Sequence, residues 1–212
     1  MAGITFTVIT AMEASLAWQG KPLLLSARYL YEKARMIDIE TYLGVKPSKK
    51  EKDEWVGITA SSIIKVIKDH GVPPEEAWRF MPGQRELPEK TTWEELDSTA
   101  SKFKAQVYPL HSVEDIPKHL RLGRPIIVGV SVYDNSWDGA KNSRILPPQK
   151  DGHIQGGHVI TIIGYDPKST DIRFANSWGI DWGDDGFGLM TMEVLKKING
   201  SDLFSLEVPI KR

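Results

Sequence analysis

Apolar side chains at Phe6, Ile9, Met12, Leu16 and Ala17 recur every three or four residues. That spacing predicts a helix that starts within the first few residues and stops before Gly20 and Pro22. Ser26 is placed to cap a second helix running through Tyr29, Leu30, Tyr31, Ala34 and Met36. A third is predicted from about Ser61 to Asp69, where His70-Gly71-Val72-Pro73-Pro74 ends it, and a fourth over Trp93 to Phe103 behind a Thr92 cap. Val113 to Leu122, followed by Gly123, makes a short fifth. From Pro125 onward the pattern changes to β-branched and apolar runs: Ile126 to Tyr133, Val159 to Tyr165, Ile172 to Ala175, Phe187 to Met192 and Leu203 to Val208. Asp134 to Gln155, rich in Asp, Asn, Gly, Pro and Ser, is too long for a tight hairpin and is predicted to be a surface loop. No internal repeat or low-complexity segment interrupts the pattern.

A helical half followed by an antiparallel sheet is an α+β arrangement. We expect a helical lobe over residues 1–112 and a β-barrel lobe over 113–212, with a ligand groove where they meet. With 41% hydrophobic residues in 212, the chain can bury a real core. A formal charge of −1, from 27 basic and 28 acidic residues, leaves no excess for phosphates or anionic lipid. The one dense basic run, Lys46 to Lys52, is broken by Pro47, Ser48 and Glu51, so nucleic acid is not an expected partner. Met1 to Trp18 reads as a buried helix rather than a signal peptide, because no Lys or Arg precedes its apolar stretch and Glu13 interrupts it. No run of eighteen apolar residues predicts a membrane span. The chain contains no cysteine, which removes disulfides and zinc-thiolate sites and fits a reducing, cytoplasmic compartment. No cofactor is expected, and the pattern is silent on oligomeric state.

Candidate chemistry concentrates in two runs, Gly156-Gly157-His158-Val159 to Gly164-Tyr165 and Asn176-Ser177-Trp178-Gly179 to Trp182-Gly183 and Gly186-Phe187-Gly188. A histidine on one strand and an asparagine at the end of the next make half of a thiol-protease site. The other half would be a cysteine at the head of a helix, giving its proton to the imidazole. Trp178 and Trp182 also suit an ordinary aromatic core. Asp151, His153 and His158 lack the spacing of a metal site. His70, His111 and His119 read as structural or surface residues, and Glu13 as a buried anchor paired with a hydroxyl or a cation.

These runs resemble the papain-like (C1) cysteine peptidases. So do Phe6, Ala11-Met12-Glu13 and Leu25-Ser26-Ala27-Arg28-Tyr29-Leu30-Tyr31, together with Gly71-Val72-Pro73-Pro74-Glu75-Glu76-Ala77-Trp78, whose form is closest to bacterial and archaeal members. The resemblance covers nearly the whole chain and is weakest between Glu86 and Pro109. It implies the two-lobe papain-like fold, with His158 as the catalytic base after Gly157, Asn176 orienting its ring, and Trp178 shielding that hydrogen bond from water. Counted three residues before Phe6 and ten before Glu13, the family's nucleophilic cysteine falls on Gly3. Its oxyanion-hole glutamine would precede that position, where this sequence has only Met1 and Ala2. The expectation is therefore a peptidase domain that is inactive as written, its cysteine replaced by Gly3 or lost by truncation, with a peptide or protein substrate as the groove's partner. Two alternatives stay open: a pseudopeptidase that binds peptides or proteins without cleaving them, and a peptide ligase or transpeptidase on the same site.

Overall fold

The computed structural model describes residues 3–44, 57–137 and 143–210; the basic run Lys46 to Lys52 and the positions Met1 and Ala2 lie outside them. The first helix, α1, spans Gly3–Trp18, and its apolar residues Val8, Ile9, Ala11, Met12 and Leu16 are buried along with Thr5, Thr7 and Ser15. A helix buried on nearly all sides is central rather than superficial. It ends where Gly20 turns into the left-handed region. The second helix, α2, spans Ala27–Leu43 and starts at Ser26, whose Oγ accepts a hydrogen bond from the Tyr29 N–H and donates to the Trp78 carbonyl. Ser26 is fully buried. Ser26→Ala removes the cap and strands two buried backbone groups, so it should cost about 1–2 kcal/mol. Urea denaturation of the variant checks this.

The predicted helix over Ser61 to Asp69 is two hydrogen-bonding patterns in series. An α-helical stretch, α3, runs over Ala60–Lys65 behind a Thr59 cap, and a wider π-helical turn over Val66–His70 closes when the Gly71 N–H reaches Val66 O. The fourth helix, α4 (Trp93–Ala100), has the Thr92–Glu95 capping box and tightens into a 3-10 turn over Ser101–Phe103. The fifth, α5 (Ile116–Arg121), follows a 3-10 turn over Val113–Asp115.

Six strands form one antiparallel sheet: β1 (Gln106–Pro109), β2 (Ile126–Tyr133), β3 (Ile154–Tyr165), β4 (Asp171–Ala175), β5 (Phe187–Thr191) and β6 (Asn199–Glu207), in the order β1-β6-β2-β3-β4-β5. Several boundaries differ from the sequence reading. Strand β3 starts at Ile154 rather than Val159 because backbone pairing to Ser131, Val132 and Tyr133 carries it outward, although the side chains there are exposed and show no alternation. Strand β5 stops at Thr191, whose hydroxyl accepts from Val194 N and opens an unpredicted helix, α7 (Met192–Ile198). Strand β1 is a short edge held by pairing to β6. The segment predicted as a surface loop instead starts with a helical turn, α6 (Asp134–Trp137), that buries Ser136 and Trp137.

The sheet buries both faces. Ile127, Phe204, Leu206 and Val208 join the core made by α1, α2 and α3. Ile126, Val128, Val130, Ile160, Ile162, Ile172, Phe174 and Met190 face the other way, into a second core closed by Ile116, Trp137, Leu195 and Ile198. Alternation along β2 puts neighbouring residues into different cores, which is the period-two geometry of a strand. Each fully buried aliphatic side chain contributes roughly 1.5–3 kcal/mol, so the sheet is the shared wall that couples the two halves. Among the described residues no helix is long and apolar enough to cross a membrane.

Candidate active site

His158 lies in the middle of β3, paired across to Val130. Asn176 follows the end of β4 and is held by its own N–H, which donates to Gly186 O at 2.9 Å. The two side chains meet: His158 Nε2 is 2.7 Å from Asn176 Oδ1. The Ser177 N–H, which can only donate, also reaches Oδ1, at 2.8 Å, so that atom is an acceptor and Nε2 must carry a proton. Burial pushes the His158 pKa below its ordinary value, and the Asn176 hydrogen bond only partly opposes this. The ring is therefore neutral at pH 7, with its lone pair on Nδ1, which has no hydrogen-bond partner among the described residues.

Aromatic rings fix the imidazole in place. Trp178 lies over it at 4.9 Å between centroids and a 31° tilt, while Trp137 meets it edge-on at 6.1 Å. Trp137 also packs on Trp178, Trp182 and Phe174, so a residue expected on a surface loop is the floor of the site. Only its apolar character among polar neighbours could have marked it. The reversal that returns the chain from Asn176 to β5 depends on glycine. Gly183 has φ +63°, and a Cβ there would meet Phe187 O at 2.4 Å; Gly188 is needed because a Cβ would strike the Phe174 ring at 2.4 Å. At Gly157 a Cβ would meet nothing within 4 Å, which leaves the strand beside His158 open.

Gly3 begins α1. The Thr7 hydroxyl, with one proton to give, lies 3.0 Å from both Gly3 O in its own helix and Val159 O, and Thr161 Oγ1 donates to Thr7 O at 2.7 Å, so two contacts tie the head of α1 to the strand beside His158. A Cβ at Gly3 would meet only Ser177 Oγ, at 3.9 Å, next to Asn176. The structure thus gathers Gly3, His158, Asn176 and Trp178 into one place. Thr7 and Thr161 are the residues that make this happen, and their hydroxyls on otherwise apolar faces are the signal that could have found them. Thr5 is buried, and its hydroxyl does not reach the groove. A neutral imidazole beside a helix N-terminus can take a proton from a group at that terminus and hold the resulting anion there.

The remaining candidates stay apart. Glu13 Oε1 accepts from the Leu25 N–H at 2.8 Å, so its partner is a backbone amide and not the hydroxyl or cation expected. His119 Nδ1 meets the buried Ser205 Oγ at 2.6 Å. His153 is an exposed residue 3.5 Å from Asp134, and among the described residues no three metal-ligating side chains come together.

Comparison with known proteins shows what the chain is related to. The description of the papain family cysteine proteases matches residues 48–203, well over half of the chain, although the match begins after the helix that carries Gly3. An uncharacterized peptidase C1-like protein of Acanthamoeba polyphaga mimivirus is 28% identical over 144 residues, covering 64% of this chain and 46% of its own. Cathepsin B-like cysteine proteinase 6 of Caenorhabditis elegans is 33% identical over 90 residues, covering 40% and 22%. The chain thus spans less than half the length of these relatives. Xylellain, a cysteine protease from Xylella fastidiosa, superposes with a TM-score of 0.74 at 23% identity over 98% of this chain and 80% of that one. A procathepsin B of Trypanosoma congolense gives 0.62 at 15% identity over 98% and 68%. At such identities the likeness is one of fold, and it agrees with the α+β arrangement of helices and a six-stranded antiparallel sheet described above. With the family match extending from Ser48 through Leu203, the chain belongs to the papain family of cysteine proteases.

Proposed function

We propose that the groove beside His158 is the active-site groove of a papain-type peptidase domain in which Gly3 stands where the nucleophile would be, so that the chain as written does not cut peptides. The observation that carries the reading is the assigned tautomer: Ser177 N fixes Asn176 Oδ1 as acceptor, which leaves His158 Nδ1 as the free base. The bridge from Thr7 to Gly3 and Val159 supports Gly3 as the facing position. A thiol there would give its proton to Nδ1, attack the scissile carbonyl as thiolate, and release the amine to leave a thioester that water resolves. Gly3 offers no atom for the first of these steps. Incubation with fluorogenic peptides should show no turnover above a His158→Ala control. Turnover that vanishes in the control would overturn the inactive reading. The form of Gly71 to Trp78 supports an affinity with bacterial and archaeal members.

A natural pseudopeptidase is the second reading, favoured by the absence of any cysteine from the chain. Calorimetry with a diverse peptide library tests it: failure of every peptide to bind would count against a pseudopeptidase and leave a peptidase domain without its nucleophile as the better account. We see nothing that favours ligation over hydrolysis.

The tautomer has its own test. Long-range ¹H–¹⁵N spectra should show the Nε2–H form of His158 and an apparent pKa below the ordinary histidine value of about 6.5. The same shift makes stability depend on pH. Below about 6.5 the unfolded chain takes up a proton at this histidine while the folded chain does not, so stability should fall with pH until the folded pKa is passed. His70 and His119, also lowered chiefly by burial, add to the loss with the same sign.

A further inference from the structure

A second concavity lies on the opposite stretch of α1 from Gly3, between that helix and strands β3 to β5. It encloses about 430 Å³ and is walled by Ala14, Trp18, Leu24, Ile163 and Phe187, with Glu13 as its one charged residue. None of Gly3, His158, Asn176 and Trp178 lines it. Its size lies within the range of small-molecule sites.

The charge in this pocket is unbalanced. Glu13 Oε1 accepts from Leu25 N, and Oε2 has no protein partner among the described residues. The charged group that acts on it is another carboxylate, Glu75. Glu75 spends one oxygen on the Phe80 N–H, and its Oε2 is buried without a partner among the described residues. Neither carboxylate is ion-paired to a Lys or Arg among the described residues. Burial, with Glu75 adding to it, raises the Glu13 pKa, as expected of an acid that lacks a cation. Trp18, 45% exposed, supplies an aromatic wall, and Leu24, 67% exposed, an apolar one.

We propose that this pocket binds a small primary ammonium carried on an apolar body: the ammonium donates to Glu13 Oε2, and the body lies against Trp18 and Leu24. A carboxylate held by a backbone amide is already oriented, so a bound ammonium makes a charge-assisted hydrogen bond in a partly desolvated place. The aromatic wall favours the cation and its apolar body alike.

The test is calorimetric titration of the full chain with phenethylammonium, 2-phenylethanol and 3-phenylpropionate, which share one body and differ in charge. Phenethylammonium should bind with one-to-one stoichiometry, and the other two at least about tenfold more weakly. Glu13→Gln keeps an acceptor for Leu25 N and should weaken the amine about tenfold or more, while Trp18→Ala should weaken it severalfold. His158→Ala should leave binding unchanged, which separates this pocket from the groove. Should Glu13→Gln fail to fold, Thr10→Lys decides, because it places an internal ammonium on the pocket wall one helical turn from Glu13 and should abolish binding. Equal binding of the neutral alcohol, indifference to both pocket variants, or loss of binding in His158→Ala would overturn the proposal. So would a lysine-bearing peptide that binds there when phenethylammonium does not, which would make the face a docking surface for a protein segment.

Discussion

Replacing Gly3 with cysteine should produce a thiol that ionises well below the ordinary value of about 8.5. The new side chain would stand at the N-terminus of a sixteen-residue helix, where the unpaired N–H groups and the dipole favour an anion. It would also have room, since a Cβ at this position meets only Ser177 Oγ, at 3.9 Å. His158 Nδ1 is the unoccupied base on the neighbouring strand, tied to the head of α1 through Thr7. Proton transfer to it would create a thiolate–imidazolium pair that stabilises both charges. Iodoacetamide should therefore label the variant near pH 6 faster than it labels an unperturbed thiol, and His158→Ala should remove the advantage. A cysteine at this position that titrates like a free thiol and ignores His158 would mean that Gly3 is not the nucleophile position.

Trp137→Ala should be among the most damaging single substitutions in the chain. Trp137 is 5% exposed and packs on Phe174, Trp178, Trp182 and the His158 ring. Its indole Nε1 is buried without a partner among the described residues, so its removal forfeits packing and no hydrogen bond seen there. Deleting a buried aromatic of this size costs about 3–5 kcal/mol, which urea or thermal denaturation will read directly. Trp137→Phe keeps most of the ring contacts and should cost much less. The site should respond as well: with Trp137 gone, His158 loses its edge-on contact and Trp178 the ring it packs on, and in a Gly3→Cys background the thiol should become less acidic. A loss below about 1 kcal/mol for Trp137→Ala would show that the cluster does not hold the second core together.

Much of the helical half was legible because its signals are local. Ser26 and Thr92 cap the helices they were expected to cap, since a hydroxyl satisfies a backbone N–H three residues away whatever the rest of the chain does. Strand β2 has the bounds read from its β-branched run, Ile126–Tyr133. The strands whose bounds the pattern leaves open are those whose pairing partner, and not their own pattern, decides their extent: β1 exists because β6 is beside it, and Ile154 to Gly157 extend β3 because β2 continues there. Short or exposed strands carry little hydrophobic alternation, so periodicity has nothing to register.

The candidate site divides along the same line. The identities of His158, Asn176 and Trp178, the absence of cysteine and the spacing from Gly3 to Phe6 and Glu13 are properties of the sequence alone. The amino-acid order also determines that Gly183 can make the reversal after Asn176, where φ is positive and a Cβ would strike Phe187 O, and that Gly188 leaves room for the Phe174 ring. Only tertiary structure decided which ring nitrogen of His158 is free, because that follows from Ser177 N and Nε2 converging on one oxygen. It also decided that Trp137 lies under the site rather than on a loop, and that Glu13 anchors Leu25. Hydrogen bonds and ring contacts between residues far apart in sequence depend on where folding places both partners, and a one-dimensional pattern records only what each residue could do.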